Sequence, residues 1–188
     1  MLFQVCRSFK IAALLFLLSF PSFAFEEPQE TITVSGSKTV YLIGWIGPGV
    51  ADYITSMDPK KIKRIHLFSE GGKLKQALAI AEFIKKNNIE TYVGIQGKCY
   101  SACTIVFQAG SKRTAHKSAK FMYHYVYTRE GLNKEIMIDS EYWTEIMRNM
   151  LVQYGALKEL GDLIRSNKDL YLTAEEAMIY GIVTTVED

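Results

Sequence analysis

The sequence is poor in cysteine and histidine, and it carries almost no net charge. Its 188 residues include three cysteines and three histidines, and 22 basic side chains stand against 20 acidic ones. A nearly neutral chain offers no sequence-independent attraction for phosphate, which argues against a nucleic-acid partner. The chain has no internal repeats and no low-complexity tract. Its length therefore indicates one domain with its own core.

The longest apolar run is too short to span a bilayer, which takes about 20 residues. It covers residues 11–20 (IAALLFLLSF), follows a short basic segment and precedes the small residues Ser22 and Ala24. This pattern predicts a signal peptide over residues 1–24 and a mature chain that begins at Phe25. We therefore expect an exported protein, periplasmic or extracellular. If the segment stays uncleaved, it would anchor the chain to the membrane.

Cleavage would change both the charge and the cysteine content. It removes Arg7 and Lys10, which leaves 20 basic and 20 acidic side chains, and it also removes Cys6. The mature chain is then neutral and keeps Cys99 and Cys103 alone, in a compartment that oxidises thiols.

Residues 25–188 read as a single domain in which strand and helix patterns alternate. Strand patterns cover residues 31–34, 39–46, 64–68, 91–95, 119–125 and 182–186. Helical patterns cover residues 48–57, 74–86, 102–109, 139–154 and 156–165, and a capping box at 173–176 opens a last short helix. This order predicts an α/β fold with βαβ units and a mainly parallel sheet.

Three segments follow predicted strands, at the ends where open α/β sheets collect their chemistry. They are the pair Gly71-Gly72, Ser101 and His124. Ser101 opens a predicted helix, so it is either a nucleophile or an ordinary N-cap, and a serine nucleophile needs a neighbouring base. His66 lies inside an apolar strand and His116 in a polar turn, which leaves His124 as the best base. Backbone N–H groups at the glycine pair and the helix start would supply an oxyanion hole.

Four segments, taken in order, resemble the ClpP proteolytic subunit family. They are Ser69-Glu70-Gly71-Gly72, the stretch from Gly97 through Ser101 and Ala109-Gly110 to Arg113, the strand Phe121-Met122-Tyr123-His124, and the stretch from Asp169 through Ala174 to Val183. The resemblance covers about Val40 to Glu187. It implies a ClpP/crotonase-like fold with a helical handle at about residues 128–166.

The resemblance also implies the chemistry of a serine peptidase that needs no cofactor or metal. It makes Ser101 the nucleophile, His124 the general base and Asp169 the residue that orients the base. It assigns the oxyanion hole to the N–H groups of Gly72 and Ala102.

Two features distinguish this chain from the family pattern. Glu70 replaces the proline of the glycine turn and puts a carboxylate beside the substrate cleft. The predicted export separates the protein from ATP, so we expect no ATPase partner and a substrate that is a peptide or an already unfolded chain.

The handle helix carries an apolar stripe made of Trp143, Ile146, Met147, Met150, Leu151 and Tyr154. The stripe predicts a homo-oligomer in which this face is buried against another subunit.

Cys99 and Cys103 flank Ser101 at a spacing of four. If Cys99 is still in the turn, the Cα atoms lie within the about 4.4–6.8 Å that a disulfide needs, and the bond would brace the nucleophile turn. The alternative is a pair of small buried residues.

Three other functions fit parts of the pattern. A catalytically silent relative would use the same cleft to bind peptides or a partner protein. A crotonase-like acyl-CoA enzyme would share the fold and the oxyanion hole without a triad. A Ser-Lys peptidase would take its base from Lys112, Lys117 or Lys120, which lie in a polar turn where solvated charges are usual.

Overall fold

The structure, a computed structural model, describes residues 31–35, 38–126, 134–164 and 169–188. The predicted signal peptide at residues 1–24 lies outside the described residues, as do residues 128–133 and 165–166 of the predicted handle. Within the described ranges, no helix is both long enough and apolar enough to cross a membrane.

Nine strands and six α-helices make up the described chain. The strands are β1 (Thr31–Ser35), β2 (Thr39–Ile46), β3 (Arg64–Gly72), β4 (Glu90–Val93), β5 (Lys98–Tyr100), β6 (Arg113–His116), β7 (Lys120–Tyr123), β8 (Leu170–Thr173) and β9 (Thr185–Glu187). The helices are α1 (Val50–Thr55), α2 (Leu74–Lys86), α3 (Ala102–Gln108), α4 (Lys134–Gln153), α5 (Lys158–Ile164) and α6 (Ala174–Ile179), with a short 3₁₀ helix at Pro59–Lys61.

The strands form one mainly parallel sheet with the order β8-β7-β5-β3-β4-β6-β9, and the β1–β2 pair joins it at β3. Only the pairs β1–β2 and β7–β8 are antiparallel among the described strands. This arrangement confirms the predicted α/β class, since parallel strands need crossover helices to connect them.

The sheet forks at β3, because the two halves of this strand pair with different neighbours. Its first residues, Arg64–His66, pair with β4, while Ser69 near its end pairs with Cys99 of β5. The fork separates a small sheet, β3-β5-β7-β8, from the larger one. All of the residues that the sequence assigns to catalysis lie on or beside the small sheet.

Helix α3 fills the centre of the core, and all seven of its residues are buried. The ring of Phe107 on this helix packs against Phe121 of β7, with 4.9 Å between the ring centroids. Arg113, which follows α3, donates hydrogen bonds to three backbone carbonyls of Gly110, Gly181 and Ile182. These bonds tie the C-terminal segment to the end of α3.

The structure differs from the predicted elements in three places. Strands β5, β6 and β8 have no counterpart among the predicted strands, and the predicted glycine turn, Gly71-Gly72, forms the last two residues of β3. His116 ends strand β6, where its Nδ1 lies 2.7 Å from Oγ of Ser118, so it is not in a solvated turn. Short strands such as β5 give no periodic signal, because they form only when distant strands flank them.

The predicted apolar stripe lies on α4, but much of it covers this chain's own core. Met147 and Leu151 are buried within the single chain, and Met150 packs beside them. The stripe is therefore not by itself a free surface that requires a partner.

Candidate active site

The predicted site residues gather at one edge of the small sheet. Gly72 ends β3, Ser101 follows β5 and His124 follows β7. Asp169 comes directly before β8, which runs antiparallel to β7. Because β8, β7, β5 and β3 are consecutive neighbours in the sheet, four distant segments of the chain meet at this edge.

Ser101 occupies a strained turn between β5 and α3. Its backbone has φ 53° and ψ −127°, a conformation that costs a residue other than glycine on the order of 1–3 kcal/mol. Its N–H donates to the carbonyl of Met122, and its own carbonyl accepts from the N–H and the hydroxyl of Thr104. A strained strand-to-helix turn is the geometry by which α/β-hydrolases expose a serine oxygen.

The structure bears on one of the two interpretations of Ser101 that the sequence leaves open, the ordinary N-cap. The residue stands at the N-cap position of α3, but its side chain makes no capping hydrogen bond. An ordinary N-cap serine would accept a hydrogen bond from one of the first N–H groups of the helix. The hydroxyl is therefore not used as a cap.

The glycine turn lies directly against Ser101. A Cβ atom added at Gly71 would be 2.7 Å from the carbonyl oxygen of Tyr100, 2.8 Å from Cβ of Ser101 and 2.9 Å from the nitrogen of Ala102. The Gly71 N–H donates to the buried hydroxyl of Ser69 at 3.0 Å, which holds the turn in place. The Ser101 turn can approach this closely only because position 71 lacks a side chain.

Gly72, which the sequence assigns to the oxyanion hole, has a different environment. A Cβ atom added there would be 2.4 Å from the carbonyl oxygen of Ile46 and 2.8 Å from Nε1 of Trp45. Gly72 thus packs against β2, while Gly71 packs against the turn that contains Ala102. The oxyanion-hole assignment of Gly72 and Ala102 stays a prediction.

The pairing of β7 with β8 brings His124 and Asp169 to corresponding positions. Tyr123 pairs with Leu170, so the next residue outward on each strand is His124 on one side and Asp169 on the other. The imidazole Nδ1 of His124 donates to the carbonyl of Tyr125. Because a carbonyl can only accept, Nδ1 carries a hydrogen in this arrangement, and Nε2 is the ring nitrogen left to act as a base.

Cys99 and Cys103 form a disulfide, with 5.2 Å between their Cα atoms. Cys99 lies on β5 and Cys103 on α3, so the bond joins the two elements that hold Ser101 between them. Both cysteines are fully buried. The structure thus contains the disulfide that the sequence predicts.

An apolar groove of about 220 Å³ adjoins the glycine turn. Its lining residues are Ile43, Gly44, Trp45, Phe68, Glu70 and Lys98. The carboxylate of Glu70 forms an ion pair with Lys98, and the Lys98 ammonium lies 5.4 Å from the ring centroid of Phe68. The charge that Glu70 brings to the cleft is therefore balanced by a partner 28 positions away, which no local pattern in the sequence indicates.

The lysines of the Ser-Lys alternative lie elsewhere. Lys120 opens β7, whereas the backbone of Ser101 binds the carbonyl of Met122 near the other end of that strand. Lys117 pairs with Asp188 at 3.0 Å, and Lys112 is exposed before β6. In the described part of the chain, no group of three or more His, Cys, Asp or Glu side chains is arranged to hold a metal ion.

Sequence comparison connects this chain with one family. A family profile described as Clp protease matches residues 52–188. The ATP-dependent Clp protease proteolytic subunit 3 of Nocardia farcinica is 27% identical over 143 residues, which cover 72% of this chain and 65% of that protein. Proteolytic subunit 1 of Corynebacterium efficiens is 26% identical over 142 residues, which cover 72% of this chain and 68% of that protein. The chain thus spans about two thirds of the length of these relatives.

Comparison with solved structures shows the same fold. A ClpP1 mutant from Listeria monocytogenes superposes with a TM-score of 0.65 at 20% identity, covering 81% of this chain and 92% of that one. The ClpP/crotonase-like fold that the sequence predicts is confirmed.

Proposed function

The chain belongs to the Clp protease family, and from that premise we propose that it is a serine peptidase acting on peptides or unfolded polypeptides. The nucleophile is Ser101, the general base is His124 and the residue that stabilises the protonated base is Asp169. The observation that carries the proposal is the strained, uncapped Ser101 turn beside the strand end that leads to His124.

The proposed reaction begins with attack of the Ser101 Oγ on the carbonyl carbon of the scissile bond. Nε2 of His124 accepts the hydroxyl proton, and the carbonyl oxygen becomes an oxyanion. The N–H groups of Gly72 and Ala102 stabilise that oxyanion. His124 then donates the proton to the leaving amine, and water releases the acyl group from Ser101 by the same route.

In the proposed mechanism, Asp169 stabilises His124 after the imidazole has accepted the proton. In the structure, Nδ1 of His124 donates to the Tyr125 carbonyl. A carboxylate stabilises an imidazolium more than a neutral carbonyl does, because its hydrogen bond is charge-assisted. The position of Asp169 next to the start of β8, opposite the end of β7, supports a small side-chain rearrangement that brings it to Nδ1.

A fluorophosphonate probe tests the proposal, because it reacts with an activated serine and not with an ordinary one. The wild-type protein is expected to be labelled and to hydrolyse a fluorogenic peptide, while Ser101→Ala and His124→Ala lose both activities. The double variant is expected to be little worse than either, since the residues act as a unit. Ser111→Ala, which changes an exposed serine beyond the other end of α3, is the matched control and keeps the wild-type rate.

A catalytically silent peptide-binding protein is the second candidate, and one observation favours it. The Tyr125 carbonyl occupies Nδ1 of His124, the nitrogen that the carboxylate binds in a resting triad. If wild type and Ser101→Ala bind an unfolded polypeptide equally and neither is labelled, the cleft is a binding site.

We propose that the protein is exported and acts without an ATPase partner. The N-terminal pattern of residues 1–24 and the buried disulfide both support an oxidising compartment. Mass spectrometry of the secreted or periplasmic fraction is expected to find a chain that starts at Phe25. A full-length chain extracted from membranes would contradict cleavage and export together.

We also propose that the protein assembles as a homo-oligomer. The support is a group of exposed apolar side chains in the α4–α5 region, namely Tyr142, Val152, Leu157 and Leu163. Light scattering at micromolar concentration is expected to give a mass of several chains. A monomeric mass would contradict the assembly.

A further inference from the structure

Resting on the proposed function, we infer that the Cys99–Cys103 disulfide positions Ser101, so that the peptidase turns over substrate at its full rate only when this bond is formed. The two cysteines touch no substrate atom in this scheme and act through the serine between them. Ser101 combines φ 53° with ψ −127°, a conformation that a residue other than glycine adopts only when its surroundings impose it.

The elements on either side of Ser101 are short. Strand β5 has three residues, all of which pair with β7, but it has only one registered pair with β3, Ser69 with Cys99. Helix α3 has seven residues and no side-chain cap at its start. Pairing with β7 holds β5, and burial in the core holds α3, but the side of β5 that faces β3 and the glycine pair has a single registered pair. The strained residue between the two elements is therefore least constrained on the side where the site lies.

The disulfide supplies a covalent constraint at this point. It joins the residue of β5 that pairs with β3 to the second residue of α3, and it closes a loop that contains Tyr100, Ser101 and Ala102. Ser101 and Ala102 are the two members of that loop that the mechanism uses. The bond therefore limits the movement of the nucleophile and of the predicted oxyanion donor together.

The opposite wall of the site leaves little tolerance for movement. Gly71 lies so close that a single methyl group at that position would meet Ser101 and Ala102 at less than 3 Å. When the bond opens, the end of β5 and the start of α3 can shift slightly relative to each other while β7 and the core still hold both elements. A displacement of about 1 Å at a reacting group costs roughly 100-fold in rate. We therefore expect the dithiol form to keep its fold and to lose turnover.

Reduction by dithiothreitol supplies two electrons and two protons to the disulfide. The products are two protein thiols and the cyclic disulfide of the reductant. Because both cysteines are fully buried, the reductant reaches them only when β5 and α3 open locally. The extent of reduction is therefore measured by alkylation and mass spectrometry in every sample.

The experiment compares oxidised wild type, dithiothreitol-treated wild type, the same sample after reoxidation, and Cys99→Ala/Cys103→Ala. The measurements are peptide kcat and KM, the fluorophosphonate labelling rate and the circular dichroism spectrum. We expect kcat and the labelling rate to fall by about 10- to 100-fold in the reduced and double-alanine forms, with KM changed by less than about twofold. Reoxidation restores the wild-type rate, and dithiothreitol has no effect on the double-alanine variant.

Each other outcome is decisive. Equal kcat in fully oxidised and fully reduced protein would overturn the inference and leave the peptidase intact. Loss of the native circular dichroism spectrum on reduction would show that the bond maintains the fold, which would also overturn the positioning role. A lack of labelling in the oxidised wild type would overturn the proposed peptidase, and this inference with it.

Discussion

Substitution of Gly71 by alanine tests the geometry around Ser101, the proposed nucleophile, most directly. The added Cβ would lie under 3 Å from three atoms, two of them backbone atoms of Tyr100 and Ala102 and the third the Cβ of Ser101. None of these is the end of a flexible side chain that could move aside. The turn itself must shift, and Ser101 shifts with it.

The cost of Gly71→Ala has two parts. A φ of +96° is strained for alanine and costs about 1–3 kcal/mol of stability. Overpacking against a rigid surface adds typically about 1–3 kcal/mol. We therefore expect the free energy of unfolding to fall by about 2–6 kcal/mol and kcat to fall roughly 100-fold, since the clash displaces Ser101, the proposed nucleophile.

Gly49→Ala is the matched control for this substitution. Gly49 also has a positive φ, +86°, but an added Cβ would meet nothing within 4 Å. It therefore carries the backbone cost of about 1–3 kcal/mol without the contact cost, and kcat is expected to stay at the wild-type value.

Urea unfolding and peptide hydrolysis measure the two effects separately. If Gly71→Ala turns over substrate as fast as Gly49→Ala, the close approach of the glycine turn to Ser101 has no catalytic importance. That result would refute the site geometry on which the proposal depends.

Three further predictions concern the structure around the site. Arg113→Met removes hydrogen bonds to three carbonyls, and each such bond from a charged donor is worth about 1.5–3 kcal/mol. We expect this substitution to lower the free energy of urea unfolding by at least about 3 kcal/mol. The control Lys112→Met, at an exposed position, should change it by less than about 0.5 kcal/mol. Thr173→Ala breaks the capping box of α6 and should cost about 1 kcal/mol with kcat unaffected; an unchanged unfolding midpoint would contradict the role of the cap. Burial, and to a lesser extent the charge of Arg64, lowers the pKa of the His66 imidazole below 6.5 in the folded protein. The stability that depends on a neutral His66 is therefore fully present above pH 6.5 and is lost as the pH falls through the lower folded-state pKa. Unfolding free energies at about pH 7.5 and about pH 5 should therefore differ less in His66→Phe than in wild type, and equal differences would refute this assignment.

The sequence predicts the elements whose patterns are local. Strand β2 begins and ends where the β-branched and aromatic run predicts, at Thr39–Ile46, and α2 begins at the predicted Leu74. The capping box also opens α6 as expected. These features depend on side chains within a few positions of one another, so one sequence is enough to read them.

The features of the structure that the sequence does not predict depend on contacts between distant residues. The sequence does not predict strand β5, because Lys98–Tyr100 becomes a strand only between β3 and β7. The bond from His124 to the neighbouring Tyr125 carbonyl depends on how the ring is turned, which no residue pattern encodes. The pairing that sets Asp169 beside the end of β7 likewise requires the structure.

The fork at β3 explains why the site residues are so widely spaced in the chain. The small sheet has to collect β5, β7 and β8 from separate crossovers, and each of these strands has only three or four residues. Short strands add few ladder bonds, so their alignment depends on connections outside the sheet, of which the Cys99–Cys103 bond is the only covalent one among the described residues. The geometry of such a site is easily disturbed where its short strands are connected. Two contacts constrain the Ser101 turn from different sides, the close packing of Gly71 and the Cys99–Cys103 disulfide. If both Gly71→Ala and reduction of the disulfide leave turnover unchanged, the alignment of the small sheet does not limit catalysis.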